Sequence, residues 1–77
     1  MRFILRGIEY ELTKEIVERK MKNVRPEKIK KYYVIVNKQK FPPKQVIAES
    51  LGIGLVEFTT MDASAILRRL GFRLYQK

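Results

Sequence analysis

Two short segments carry complete start and stop signals for helices, and the rest of the chain must fold around them. The first begins at Pro43, whose missing N–H would lack a partner in a first helical turn anyway, and stops at Gly52, which favours the left-handed conformation that ends a helix. The second is capped by Thr59 or Thr60 and stops at Gly71. Apolar residues recur at helical spacing in both segments, so the sequence predicts a helix–loop–helix pair with faces to bury. Gln45 is predicted to lie on the outward face of the first helix, and Leu55 and Val56 are predicted to tuck under the loop.

A predicted hairpin precedes this pair. Residues 32–37 are aromatic and β-branched, which is typical of a strand, and residues 37–40 predict a turn. The returning strand ends at Phe41, because two prolines follow it and cannot continue its hydrogen bonding. Residues 72–75 alternate between apolar and polar side chains and are predicted to join the hairpin as a further strand.

The first third of the chain has weaker signals. Residues 2–11 alternate around Gly7, which predicts a short strand or an extended arm with a turn or bulge at the glycine. Thr13 is placed to cap a helix that begins at Lys14. That helix must end before Pro26, because a residue that precedes proline is disfavoured in the helical conformation, and Pro26 is predicted to open one further turn.

Together these elements predict an α+β fold. The 77 residues form one small domain, residues 1–77, with about three helices and a short antiparallel sheet of three or four strands. A chain of this length buries only about 60% of the surface that its unfolded form would expose, so its core is small.

The composition excludes several classes of site. The chain has no cysteine and no histidine, which excludes disulfides, the usual zinc sites and nucleophiles activated by histidine. Its eight acidic residues are scattered, and it has no glycine-rich phosphate loop. We therefore predict no catalytic residues, no metal, no cofactor and no small-molecule substrate, and we expect the protein not to be an enzyme.

The longest apolar run is five residues, 32–36, far short of the roughly 20 that span a bilayer. The first residues also lack the apolar core of a signal peptide. The sequence therefore predicts a cytoplasmic protein with no membrane partner.

The charge gives the strongest indication of a partner. Seventeen basic and eight acidic residues give a net charge of +9 and a pI of about 10.1, which is typical of nucleic-acid-binding domains. The basic residues are also clustered, since residues 19–31 contain seven of them and a single acid, Glu27. A generic basic surface is the alternative, but it would mix the two signs more evenly.

The helix–loop–helix is the first candidate for a binding site. In helix-turn-helix proteins the second helix enters the major groove of DNA with its N-terminal residues against the bases. Here these residues are Thr60, Met61, Asp62, Ser64 and Ala65. The starts of both helices also offer backbone N–H groups to phosphate. The loop of about eight residues is longer than the usual turn, and well-capped amphipathic helices are also common in domains without this function.

Two further sets of basic residues are candidates. Arg68 and Arg69 suit bidentate contacts with phosphate, although arginine in a last helical turn also complements the helix dipole. The hairpin carries lysines that are spaced to follow a phosphate backbone, although lysine also protects sheet edges from aggregation. Tyr32 and Tyr33 lie beside these lysines and must face opposite sides of the strand, so one of them is available to stack on a base. The hairpin lysines are Lys30, Lys31, Lys38, Lys40 and Lys44.

One pattern resembles a known family. Residues 41–47 read Phe-Pro-Pro-Lys-Gln-Val-Ile, residues 58–60 read Phe-Thr-Thr, and residues 66–72 read Ile-Leu-Arg-Arg-Leu-Gly-Phe. This resembles a short module found beside endonuclease domains of the HNH type and in other restriction- or defence-associated bacterial proteins. The resemblance spans about residues 32–74. It implies DNA binding by the module but no nuclease chemistry, which in such proteins belongs to a separate histidine-rich domain.

The sequence thus predicts a non-enzymatic nucleic-acid-binding module, with duplex DNA favoured and RNA as a variant. A small regulator or inhibitor that binds a nucleic-acid-handling or defence enzyme is the alternative. In the first case the protein would be associated with the nucleoid. The predicted contact residues are Lys30, Lys31, Lys38, Lys40, Lys44, Thr59, Thr60, Arg68 and Arg69.

Overall fold

Two pairs of consecutive strands, three helices and a last strand follow one another in a computed structural model that describes all 77 residues except the side chain of Val56. The described chain contains two antiparallel sheets, three α-helices and one 3₁₀ turn, which confirms the predicted α+β class. The elements are β1 (Arg2–Leu5), β2 (Ile8–Glu11), α1 (Lys14–Lys20), β3 (Tyr32–Val36), β4 (Gln39–Phe41), α2 (Pro43–Leu51), the 3₁₀ turn (Leu55–Glu57), α3 (Thr60–Arg69) and β5 (Leu74–Gln76).

The predicted hairpin and the last strand form one sheet in the order β4–β3–β5. Val34 in the central strand lies opposite Phe41 of β4 and Leu74 of β5, so both neighbours are antiparallel to β3. The turn between β3 and β4 has no glycine, and Asn37 and Lys38 both take positive φ values there, 52° and 68°. Two successive left-handed residues are what a two-residue hairpin turn needs, because their twist matches that of the strands.

The N-terminal segment differs from the prediction. Instead of one strand or an extended arm, it forms a separate two-stranded hairpin in which Leu5 lies opposite Ile8. Arg6 and Gly7 both adopt positive φ, 53° and 78°, and so reverse the chain within two residues. Gly7 predicts a turn, but arginine is not a residue that predicts the left-handed conformation.

The predicted helix caps are confirmed. The Thr13 side chain accepts a hydrogen bond from the Ile16 N–H at 3.1 Å, and Gly52 and Gly71 end α2 and α3 with φ values of 70° and 101°. The prediction was wrong about Pro26, because it opens no helical turn and residues 24–29 have no regular structure.

The core lies between the helices and the inner face of the three-stranded sheet. The largest fully buried side chains are Phe41, Phe58, Leu12, Met21, Ile47, Leu67, Val17, Val34, Val36 and Val46. Leu55 was expected to tuck under its loop, but its side chain is 41% exposed, and the same expectation for Val56 falls on the one undescribed side chain. No helix in the described chain has the length and apolarity to cross a membrane.

Candidate nucleic-acid interface

The N-terminal ends of α2 and α3 open onto one cleft of about 550 Å³. The segment of residues 27–32 forms its opposite wall. We call this the lysine cleft after the four lysines that line it together with a single acidic residue, Glu27: they are Lys28, Lys30, Lys31 and Lys44. The remaining lining residues are Tyr32, Pro42, Pro43, Gln45, Leu55, Thr60 and Met61.

Gln45 fixes the wall of the cleft. Its side-chain amide donates to the carbonyl of Arg25 at 2.7 Å, and its side-chain oxygen accepts from the N–H of Glu27 at 2.9 Å. The sequence placed Gln45 on the exposed side of α2, which is wrong, since only 5% of it is exposed. The amide can be buried because both of its polar groups have hydrogen-bond partners in a segment that lacks regular structure.

Two of the four lysines lie against aromatic rings. The Lys31 ammonium is 5.3 Å from the centroid of the Tyr32 ring, and the Lys44 ammonium is 5.6 Å from the centroid of the buried Phe58 ring. Both distances are in the range of cation–π attraction. These contacts restrict where the two charges lie and still leave N–H donors for an anion.

The start of α2 has no side-chain cap, and we call it the open start. Pro42 is its N-cap and supplies no side-chain hydrogen bond to the first turn. Pro42 and Pro43 have no N–H, and the N–H of Val46 already bonds to the carbonyl of Pro42 at 3.3 Å. Of the four N–H groups that a helix start leaves without an intrahelical acceptor, only those of Lys44 and Gln45 therefore exist here.

The start of α3 has a side-chain cap formed by Thr59 and Asp62, and we call it the closed start. The Thr59 hydroxyl oxygen accepts from the Asp62 N–H at 3.1 Å, and the Asp62 carboxylate accepts from the Thr59 N–H at 3.0 Å. The pKa of Asp62 lies below its ordinary value of 3.8. The hydrogen bond from the Thr59 backbone is the largest cause, the hydrogen bond with the Thr59 side chain is the next, and the positive charge of Arg6 lowers the pKa further. The N–H of Thr59 is thus already bonded to a carboxylate. Ser64, a predicted base-contacting residue, is only 7% exposed, so the helix start presents little to a base.

The family match covers the whole chain, residues 1–77, and is to the family described as SCO5918-like. The chain belongs to this family. No curated protein and no solved structure matches the chain. The association with HNH-type endonucleases and defence proteins stays a prediction.

The structure of this SCO5918-like chain gathers only part of the predicted site. Lys38 lies at the tip of the β3–β4 turn, and Lys40 lies on the outer face of the sheet with its ammonium 5.0 Å from the centroid of the Tyr33 ring. Arg68 and Arg69 are exposed in the last turn of α3, about 13 Å along the helix from its start. The predicted residues that do line the lysine cleft are Lys30, Lys31, Lys44 and Thr60.

Sequence reasoning missed two contributors to the cleft. Lys28 belongs to the basic cluster of residues 19–31, but nothing in the sequence indicates that this particular lysine lines a cleft with the start of α2. No local signal marks Gln45, because its partners lie 18 and 20 residues earlier in the chain.

Proposed function

We propose that this protein is a non-enzymatic nucleic-acid-binding module that holds the phosphate backbone of duplex DNA in the lysine cleft. The observation that carries the proposal is that four lysines and the open start of α2 meet in one cleft with a single acidic residue. Such a protein would act in the cytoplasm, associated with the nucleoid, and RNA is a variant of the same proposal.

Phosphate binding is supported by the kinds of donor present. Lysine ammonium groups neutralise phosphate and release counterions, and N–H groups at a helix start carry a partial positive charge that favours anions. At the start of α2 the two remaining N–H groups belong to Lys44 and Gln45, so one residue offers both kinds of donor. The net charge of +9 would also speed the approach to a polyanion at low salt.

Binding through this cleft would depend little on DNA sequence. At the start of α3, Asp62 is bonded to Thr59 and Ser64 is buried, so Met61 and Ala65 are exposed and Thr60 is half-buried. Met61 and Ala65 are apolar, and the single hydroxyl of Thr60 cannot make a bidentate hydrogen bond to a base edge. Phosphate contacts fix the position of a protein on DNA but do not specify a sequence.

The salt dependence of duplex binding tests the proposal. If the cleft neutralises about four phosphates, affinity for a labelled random duplex should fall roughly 100-fold between about 50 and 200 mM salt. Fluorescence anisotropy measures this directly. Binding that is absent at low salt, or that does not respond to salt, contradicts the proposal.

Two charge reversals locate the binding surface. Lys44→Glu and Lys20→Glu lower the net charge by the same amount, but Lys20 lies in the last turn of α1 and does not line the cleft. We expect Lys44→Glu to weaken duplex binding about tenfold or more and Lys20→Glu to have a much smaller effect. Equal losses would mean that total charge, and not the cleft, determines binding.

The apolar residues of the cleft favour a second candidate function, a regulator that binds an acidic protein. Leu55 and Met61 line the cleft with side chains that are 41% and 75% exposed, and phosphate contacts alone give them no role. An acidic peptide with one apolar side chain would use both the lysines and this apolar surface. If one partner from a nuclease-treated lysate binds the purified protein in a fixed ratio and is released by Met61→Glu, the regulator is favoured. Loss of all captured proteins after the nuclease treatment counts against it.

A further inference from the structure

The outer face of the three-stranded sheet carries an aromatic row that the lysine cleft does not use. Successive residues of β3 point to opposite faces, so Val34 is buried in the core while Tyr33 and Ile35 lie on the outside. Tyr33 lies opposite Tyr75 of β5, and their rings stack with centroids 5.2 Å apart and an angle of 16° between their planes. The Lys40 ammonium, from β4, lies 5.0 Å from the Tyr33 centroid.

The strand order decides which ring is available. Because β3 lies between β4 and β5, Lys40 and Tyr75 approach the Tyr33 ring from its two sides. Tyr33 is therefore occupied on both faces. Tyr75 belongs to an edge strand and is only half-buried, and within the described chain no further strand pairs beyond β5. A flat ligand can continue the row only on Tyr75.

A hollow of about 360 Å³ adjoins this ring. Tyr75 and Ile35 form part of its apolar lining, and Ile35 is 42% exposed. Its charged lining consists of three cations and one acid: Lys14, Lys38, Arg73 and Glu18. An aromatic ring beside an excess of positive charge suits a ligand that is both flat and anionic.

We propose that this face binds an unpaired stretch of nucleic acid, with one base stacked on Tyr75 and the adjoining phosphates against Lys38 and Arg73. An unpaired strand is required, because the bases of a duplex are stacked on one another and cannot lie on a protein ring. Charge complementarity favours this occupant over an apolar protein surface, because an apolar surface would bury the three cations of the hollow without pairing them. The site is independent of the lysine cleft and does not rest on duplex binding.

The first test uses the unaltered protein and two oligonucleotides. A short labelled oligothymidylate and an abasic strand of the same length carry the same charge, but only the first has bases to stack. Since one base stacked on an aromatic side chain contributes roughly 5- to 100-fold in affinity, we expect the oligothymidylate to bind that much more tightly in fluorescence anisotropy. Equal affinity for the two strands overturns the proposal, whatever the result with duplex DNA.

The second test places the stack on Tyr75. Tyr75→Phe keeps the ring and should retain the preference for oligothymidylate over the abasic strand, whereas Tyr75→Ala should abolish it and leave duplex affinity unchanged. Thermal unfolding establishes that each variant is folded. A preference that survives in folded Tyr75→Ala means that the base stacks elsewhere and overturns the assignment. If Tyr75→Ala does not fold, Arg73→Glu decides in its place: unchanged oligothymidylate affinity overturns the proposal, and a loss of tenfold or more supports it.

Discussion

The starts of α2 and α3 line the same cleft, and they differ in how their free N–H groups are treated and in the charge that they carry. Every helix start has N–H groups without partners inside the helix. In α3 two of these groups, the N–H groups of Thr59 and Asp62, are satisfied by the reciprocal hydrogen bonds between these two residues. In α2 two of the donors are removed by Pro42 and Pro43, and no side chain caps the remaining ones. Each start thus keeps two backbone donors, but the start of α3 carries a capping carboxylate that repels an anion, whereas the start of α2 carries no acid and has the Lys44 ammonium instead.

The largest expected change is in stability and concerns Gln45, which connects the open start of α2 to the opposite wall of the cleft. Gln45→Leu leaves a carbonyl and an N–H without their partner, and we expect it to lower the free energy of unfolding by about 2–3 kcal/mol. Urea denaturation measures this change. Gln39→Leu, at an exposed position of β4, is the control and should change stability by less than about 0.5 kcal/mol. A similar small change for Gln45→Leu would mean that the wall does not need its amide.

Pro42→Asp would make the open start resemble the closed one. An aspartate at this N-cap can accept from the N–H groups of the first turn and brings a negative charge to the place where phosphate is proposed to bind. We expect duplex affinity to fall about tenfold, or about 1.4 kcal/mol, while stability stays close to that of the unaltered protein. Pro42→Ala, which removes the proline without adding an acceptor, is the control in the same anisotropy assay. If both variants bind duplex DNA equally well, the start of α2 takes no part in binding.

Thr59→Ala tests the closed start. Loss of an N-cap side chain should lower the free energy of unfolding by about 1 kcal/mol in a denaturant titration, and duplex affinity should not change. Thr60→Ala, one position later and with no capping hydrogen bond, is the matched control for stability. A tenfold loss of duplex affinity in folded Thr59→Ala would contradict the distinction between the two starts.

The smallest effect concerns pH. The pKa of Asp62 is lowered in the folded protein, so its ionised form stabilises the fold. That contribution is fully present above the ordinary pKa of 3.8 and is lost as the pH falls through the lower folded value. We expect Asp62→Asn to be less stable than the unaltered protein at neutral pH and the difference to shrink below pH 3.8 in denaturant titrations. A difference that stays constant with pH would assign the effect to something other than the charge.

Local signals account for what the sequence predicted well. Helix caps such as Thr13 and Gly52 act within a few residues of themselves, so the bounds of α2 and the start of α1 follow from the sequence. The N-terminal hairpin was missed because its turn uses Arg6 in a conformation that seldom suits arginine. The rest of the candidate site depends on distant partners: Gln45 is buried by a segment 18 to 20 residues away, and Tyr75 gains its neighbour only when β5 pairs with β3.

The two hydrogen bonds of Gln45 affect where the charges of the cleft lie but not how many there are. Residues 22–31 carry five of the basic side chains, and a free peptide of that sequence would keep all of them. In the folded protein the backbone on both sides of Pro26 is pinned by one amide from another part of the chain. The arrangement of these basic side chains is therefore a product of tertiary folding. Loss of this tether, as in Gln45→Leu, would therefore weaken the proposed binding of a polyanion without the removal of a single charge.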